Sequence, residues 1–78
     1  MPKKLSKKQI TIGLACQLGY EYENPGWEHI DAMLETYTDQ GEPIPCDADD
    51  LYDFTMKAAQ FKKDGKTFDE AEKELAKI

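Results

Sequence analysis

Positive charge is missing from the middle of this chain, and arginine is missing from all of it. No lysine lies in the 48 residues from Gln9 to Met56, and the ten positive side chains are all lysines near the two ends. Long apolar runs are also missing, since none reaches the roughly 18 residues that crossing a bilayer requires. The basic first residues are not followed by the apolar segment of a secretory signal. We therefore expect a cytoplasmic protein.

Cysteine and histidine are scarce, which removes most catalytic and metal-binding patterns. Cys16 and Cys46 are too few for a disulfide scaffold, and we expect both to be reduced. Together with His29 they lack the paired spacing of a zinc site. No nucleophile stands in a motif with a base and an orienting partner. We therefore predict no catalytic residue, no metal and no cofactor, and hence a protein that is not an enzyme.

Two short stretches are similar to ligand-binding loops but lack their essential residues. Residues 47–50 begin like a calcium loop, yet Tyr52 and Ala58 stand where such a loop needs its glycine and its glutamate. Gly-Lys-Thr at 65–67 matches the end of a phosphate-binding loop, but neither the earlier glycine nor a strand precedes it. We interpret both stretches as helix ends.

Helix start and stop signals divide the chain into four helices, at about residues 7–18, 25–39, 48–63 and 68–77. Ser6 and Thr67 have the spacing of a capping box with the residue three positions on. Asn24, followed by Pro25, marks the start of the second helix, and Asp47 marks the start of the third. The expected helix-ending glycines are Gly19, Gly41 and Gly65.

Apolar side chains repeat at helical spacing in each segment and define the predicted core. In the second helix Trp27, Ile30, Leu34 and Tyr37 form the apolar stripe, with Trp27 as its largest anchor. If that ring is buried, Trp27→Ala costs about 3–5 kcal/mol. The chain is thus predicted to be all-α, a compact irregular bundle of four short helices in a single domain over residues 1–78. Residues 1–5 are interpreted as a basic arm that can be disordered.

The lysine-free stretch carries eleven carboxylates, and the net charge of the chain is −6. Four of these carboxylates step by three and four residues along the second helix, so they share one ridge: Glu28, Asp31, Glu35 and Asp39. Exposed helices ordinarily intersperse lysine with glutamate and gain pairs at i,i+4, which this helix forgoes. The ridge either keeps the protein in solution or meets a positively charged partner.

We hypothesise that a basic protein surface is the partner, because phosphates would be repelled from this ridge. Acids early in the third helix extend the surface, and two tyrosines before the second helix add aromatic anchors. The candidate partner-binding residues are Glu28, Asp31, Glu35, Asp39, Asp49, Asp50, Asp53, Tyr20 and Tyr22. Tyr20 has an alternative interpretation, since it also suits packing back on the first helix.

In size, acidity and lack of catalytic motifs, the chain resembles the small nucleic-acid-mimicking inhibitors that phages make against restriction or CRISPR enzymes. The resemblance is one of type and not of sequence, and it implies an inhibitor or modulator of a nucleic-acid-handling protein. One alternative is a nucleic-acid-binding regulator that uses the lysine-rich ends, although the absence of arginine speaks against base readout. Another is a structural or adaptor subunit whose partner covers Tyr22, Tyr52 and Met56.

Overall fold

A computed structural model describes residues 6–78 and contains four α-helices in that range. They are α1 (Lys7–Glu21), α2 (Trp27–Asp39), α3 (Ala48–Lys63) and α4 (Phe68–Ala76). Residues 6–78 include no strand, which confirms the predicted all-α class. The prediction of a basic arm at residues 1–5 lies outside the described residues.

The helix ends follow the local signals at most positions. The Ser6 and Thr67 hydroxyls accept from the backbone N–H groups of Gln9 and Glu70, and each capping box is complete. The backbone N–H of Thr67 donates to the Glu70 carboxylate, which lowers the pKa of that carboxyl. Gly41 and Gly65 have positive φ angles of 76° and 90° and lie just beyond α2 and α3, as predicted.

The closest approach in the bundle is between α1 and α3, and Gly19 makes it possible. A Cβ atom on Gly19 would lie 2.7 Å from the Ala58 Cβ and 2.9 Å from the backbone nitrogen of Ala59. Gly19 therefore lies inside α1, and the prediction that it ends the helix was wrong. The helix continues to Glu21, and the Tyr22 N–H donates to the Leu18 carbonyl at 3.1 Å.

The start of α2 was also predicted two residues too early. Its N-cap is Gly26 and not Asn24, and Trp27 is its first helical residue. Gly26 has no side chain that could cap the helix, but its backbone N–H donates to Nδ1 of His29 at 3.1 Å. A histidine imidazole thus takes the place that glutamate or glutamine occupies in an ordinary capping box.

Two clusters of buried side chains form the core on either side of the α1–α3 contact. One joins α2 to the rest of the bundle and consists of Ala15, Leu18, Ile30, Leu34, Cys46 and Leu51. The other lies against α4 and consists of Ile12, Cys16, Ala58, Ala71 and Leu75. Cys16 and Cys46 are both free and buried. Burial raises the pKa of the Cys16 thiol to about 11.

Trp27 is not the core anchor that its size suggested. Its side chain is 44% exposed, whereas Ile30 and Leu34, one and two turns along the same helix, are buried. At 100° per residue Trp27 lies about 40° round α2 from the middle of the Ile30 and Leu34 directions, at the edge of the buried stripe. Because α2 begins at Trp27, no preceding turn covers the ring.

Candidate protein-binding surface

The four acids of α2 stand on its solvent side. Glu28, Asp31, Glu35 and Asp39 are all exposed. At 100° per residue they fall within an arc of about 80°, centred about 125° round the helix from Ile30 and Leu34. None of the four forms an ion pair with a lysine of residues 6–78. This side of α2 is therefore a row of exposed carboxylates without an ion-pair partner among residues 6–78.

The acids of α3 divide between two sides of the molecule. Asp49 and Asp53 are exposed and directly follow Ala48 and Tyr52, which both face α2. Asp50 instead lines a groove with Lys7 and Lys8 on another side of the molecule. Two of the three predicted α3 acids thus follow residues that face α2, whereas Asp50 lies beside lysines. We name these six residues the acidic face: Glu28, Asp31, Glu35, Asp39, Asp49 and Asp53.

Of the two candidate tyrosines, only Tyr22 is exposed. The Tyr20 hydroxyl donates to the carbonyl oxygens of Lys66 and Thr67 at 2.7 and 3.1 Å, and its ring contacts Phe68 edge-on with centroids 5.5 Å apart. This side chain ties α1 to the α3–α4 turn, which agrees with the alternative interpretation of packing within the fold. Tyr22 is 37% exposed, and its ring lies over that of His29 with centroids 4.1 Å apart.

Two exposed apolar residues beside the acidic face were not among the sequence candidates. Trp27 stacks on Tyr52 with ring centroids 4.5 Å apart and an interplanar angle of 12°. Ile44 is 52% exposed in the α2–α3 connection, between Pro43 and Pro45. A signal for Ile44 exists in the sequence, because flanking prolines hold a residue extended. No comparable local signal places Trp27 outside the core.

Many of the lysines contact groups outside the acidic face. Lys8 donates to the carbonyl oxygens of Ala76 and Ile78, and Lys62 donates to the carbonyl of Tyr20 at 2.9 Å. Lys7 pairs with Asp47 at 3.7 Å. The ammonium groups of Lys57 and Lys66 stand 5.8 and 6.0 Å from the ring centroids of Phe54 and Phe61. Lys8 and Lys62 thus contact carbonyl oxygens near helix C-termini, and none of these five lysines pairs with the acidic face.

The described part of the chain holds no group of three or more histidine, cysteine or acidic residues arranged for a metal ion. None of its helices is both long and apolar enough to cross a membrane. The protein is thus of the all-α class, with a lysine-free acidic face and an aromatic residue at its edge. Comparisons with protein-family models, with curated proteins and with solved structures found no match for this chain.

Proposed function

We propose that this protein is a non-enzymatic, cytoplasmic binding module that presents the acidic face to the basic surface of a nucleic-acid-handling protein. By occupying that surface it inhibits or modulates the partner. The observation that carries the proposal is that the acids of α2 are exposed and make no ion pair with a lysine of residues 6–78. An isolated row of like charges costs stability, and a basic partner recovers that cost.

The spacing of the charges supports a partner that ordinarily holds nucleic acid. Glu28, Asp31, Glu35 and Asp39 extend over about 16 Å of helix, roughly one charge per 5 Å. A nucleic-acid strand carries about one phosphate per 3.4 Å. The acids of α3 add charge beside this row and bring the density closer to that of a strand. A rigid helix also holds its carboxylates in position before the encounter, while long-range attraction speeds association.

Charge reversal on α2 tests the proposal. Glu28→Lys, Asp31→Lys and Glu35→Lys are combined, and the immobilised variant and wild type are incubated with host lysate. We expect wild type to retain proteins that added duplex DNA or RNA releases, because both compete for one basic surface. The triple variant should retain none of them. Equal retention by the variant, or no release by nucleic acid, would overturn the proposal.

A second triple variant supplies the matched control. Asp64→Lys, Asp69→Lys and Glu74→Lys change the net charge by the same amount, but these acids lie in and before α4 among the lysines. This variant should retain the same proteins as wild type. Circular dichroism spectra and melting temperatures of both variants check that the fold is kept. A loss of binding in both variants would show that net charge alone, and not the acidic face, attracts the retained proteins.

A titration of labelled duplex DNA against the chain at low salt tests the alternative that the lysine-rich ends bind nucleic acid. Lys7, Lys8 and Lys62 already contact carboxylate or carbonyl oxygens within the chain. We therefore expect no binding. Binding that weakens steeply with added salt would instead favour a nucleic-acid-binding module and contradict the proposed function.

A further inference from the structure

We infer that the groove between α2 and the start of α3 is a docking site for an amphipathic helix that carries arginine beside its apolar stripe. This inference rests on the proposed function and specifies the part of the partner that the acidic face meets. Ile44 gives the groove an exposed apolar residue, and Asp31 and Glu35 give its α2 wall two carboxylates.

The groove lies between α2 and the start of α3, and Trp27 lies one turn before its lining residue Asp31 on α2. Leu34, Thr38, Ile44 and Ala48 line it together with the carboxylate-bearing Asp31 and Glu35, and its volume is about 310 Å³. On α2 the residues 27, 31, 34 and 38 fall on one line, because they step by three and four. This line is about 16 Å long, or three turns of helix. A partner helix of similar length fits beside it as ridges fit into grooves.

The apolar wall of the groove is rigid. Ile44 is 52% exposed although it lies between Pro43 and Pro45, which restrict the backbone on both sides. Trp27 is held by its stack on Tyr52, which covers one face of the indole and leaves the side chain 44% exposed. The indole and the backbone at Ile44 are therefore restricted before a partner arrives, which lowers the conformational entropy lost on binding.

The charges on the rim select the chemistry of the partner. Asp31 and Glu35 stand on the α2 wall, and Asp49 follows Ala48 on the opposite wall. No lysine among residues 6–78 lines the groove. A partner helix without charged residues would leave these carboxylates unpaired. A helix with basic residues on both sides of its apolar stripe would form ion pairs with them.

Arginine fits the Trp27 end of the groove better than lysine. The open face of the indole accepts a planar guanidinium by stacking, and Asp31 lies one turn along the same line of α2. A guanidinium can stack on the ring and still donate two parallel hydrogen bonds to a carboxylate. A lysine ammonium offers one compact charge and cannot do both with the same geometry.

Synthetic peptides test this inference with the intact protein. The probe is an 18-residue amphipathic peptide with a leucine stripe flanked by arginines and with no aromatic residue. Trp27 is the only tryptophan of the chain, so its fluorescence reports binding at the groove directly. We expect saturable binding with a change in this fluorescence. A peptide with lysine in place of every arginine should bind about five- to tenfold more weakly, since it loses the stacking and the bidentate pair.

A scrambled peptide and a pair of isoleucine variants separate the groove from general charge attraction. The scrambled peptide keeps the composition but disperses the leucines, and it should bind at least tenfold more weakly. Ile44→Ser should weaken binding of the original peptide about tenfold, because half-exposed apolar surface is no longer buried. Ile78→Ser is the matched control, since Ile78 is 57% exposed in a different groove, beside Lys7 and Lys8. It should bind as wild type does.

The outcomes distinguish this inference from the proposed function. If the scrambled peptide binds as tightly as the original, or if Ile44→Ser binds with wild-type affinity, the groove is not the docking site. Neither result contradicts the binding role proposed for the acidic face. Binding of the arginine peptide with no change in Trp27 fluorescence also overturns this inference. A Glu28→Lys, Asp31→Lys, Glu35→Lys variant that binds the arginine peptide as tightly as wild type also overturns this inference, because Asp31 and Glu35 line the groove. The proposed function fails separately, when that variant retains the same lysate proteins as wild type.

Discussion

The contact between α1 and α3 and the outer side of α2 use opposite kinds of residue. At the contact, Gly19 meets Ala58 and Ala59, and these small residues let two backbones approach closely. On α2 only Ile30 and Leu34 are buried among thirteen residues, and the outer side is acidic. The α1–α3 contact holds the fold together by packing. By contrast, α2 buries only one narrow apolar stripe, and most of its other side chains face solvent. Stability and recognition are therefore separable by mutation.

The same two regions differ in how charge is used. Lys8 and Lys62 stand at helix ends near α1 and α4 and donate to backbone carbonyls. Such contacts stabilise helix C-termini. The carboxylates of α2 have no such role within residues 6–78, apart from Glu28 in the first turn of the helix. Charge on α2 is thus available to another molecule, and charge near α1 and α4 is largely committed to the fold.

The largest difference between these two regions is expected when one large side chain is truncated in each. Leu51 is fully buried beneath α2, and Leu51→Ala should lower the free energy of unfolding by about 2–5 kcal/mol. Trp27→Ala removes a larger side chain but should cost only about 1–2 kcal/mol, for the exposed indole and its stack on Tyr52. Urea unfolding of both variants measures the difference. A larger loss for Trp27→Ala would place the indole in the core.

The second test concerns two glycines of α1. Gly19→Ala should destabilise the fold by about 1–3 kcal/mol, because the added methyl group overlaps Ala58 and the backbone of Ala59. Gly13→Ala is the matched control, since nothing lies within 4 Å of a Cβ there. It should raise the free energy of unfolding by about 0.5–1 kcal/mol through helix propensity. Opposite shifts in melting temperature would support the close helix contact, and equal shifts would contradict it.

A third prediction concerns alkaline pH. Burial raises the pKa of the Cys16 thiol from 9.0 to about 11, and burial also raises the pKa of the Cys46 thiol. Between these values the unfolded chain loses protons that the folded chain keeps, so stability falls as pH rises from about 9 to 11. In Cys16→Ala the fall measured by urea unfolding at pH 8 and pH 10.5 should be smaller. If stability falls between pH 8 and pH 10.5 by the same amount in Cys16→Ala as in wild type, the Cys16 thiol does not cause that fall.

The smallest effect is expected on the acidic face. Glu28→Gln combined with Glu35→Gln should change the free energy of unfolding by no more than about 0.5 kcal/mol, since both side chains are exposed and unpaired within residues 6–78. Removing the two charges reduces repulsion along α2, but it also removes the favourable interaction of Glu28 with the helix dipole. These two effects on the free energy of unfolding nearly cancel. Thermal melts at low and high salt measure it. A loss above 1 kcal/mol would mean that these carboxylates support the fold and are not free for a partner.

Local signals were sufficient for most of the helices. The capping boxes at Ser6 and Thr67 and the left-handed glycines at 41 and 65 were predicted correctly, because each depends on residues within one turn of the chain. The ridge on α2 was likewise predictable, since helical spacing alone places Glu28, Asp31, Glu35 and Asp39 together. Whether this ridge binds a partner remains a prediction.

Properties that depend on how two helices pack could not be predicted from these local signals. Glycine lacks a Cβ both where a helix ends and where another helix passes closely, so only the position of α3 identifies the role of Gly19. The exposure of Trp27 depends on α2 beginning at that residue, and the separation of Asp50 from Asp49 and Asp53 depends on where α1 crosses α3. The positions of the helices are largely determined by signals within a few residues of sequence. The burial of each side chain is decided by how the helices pack.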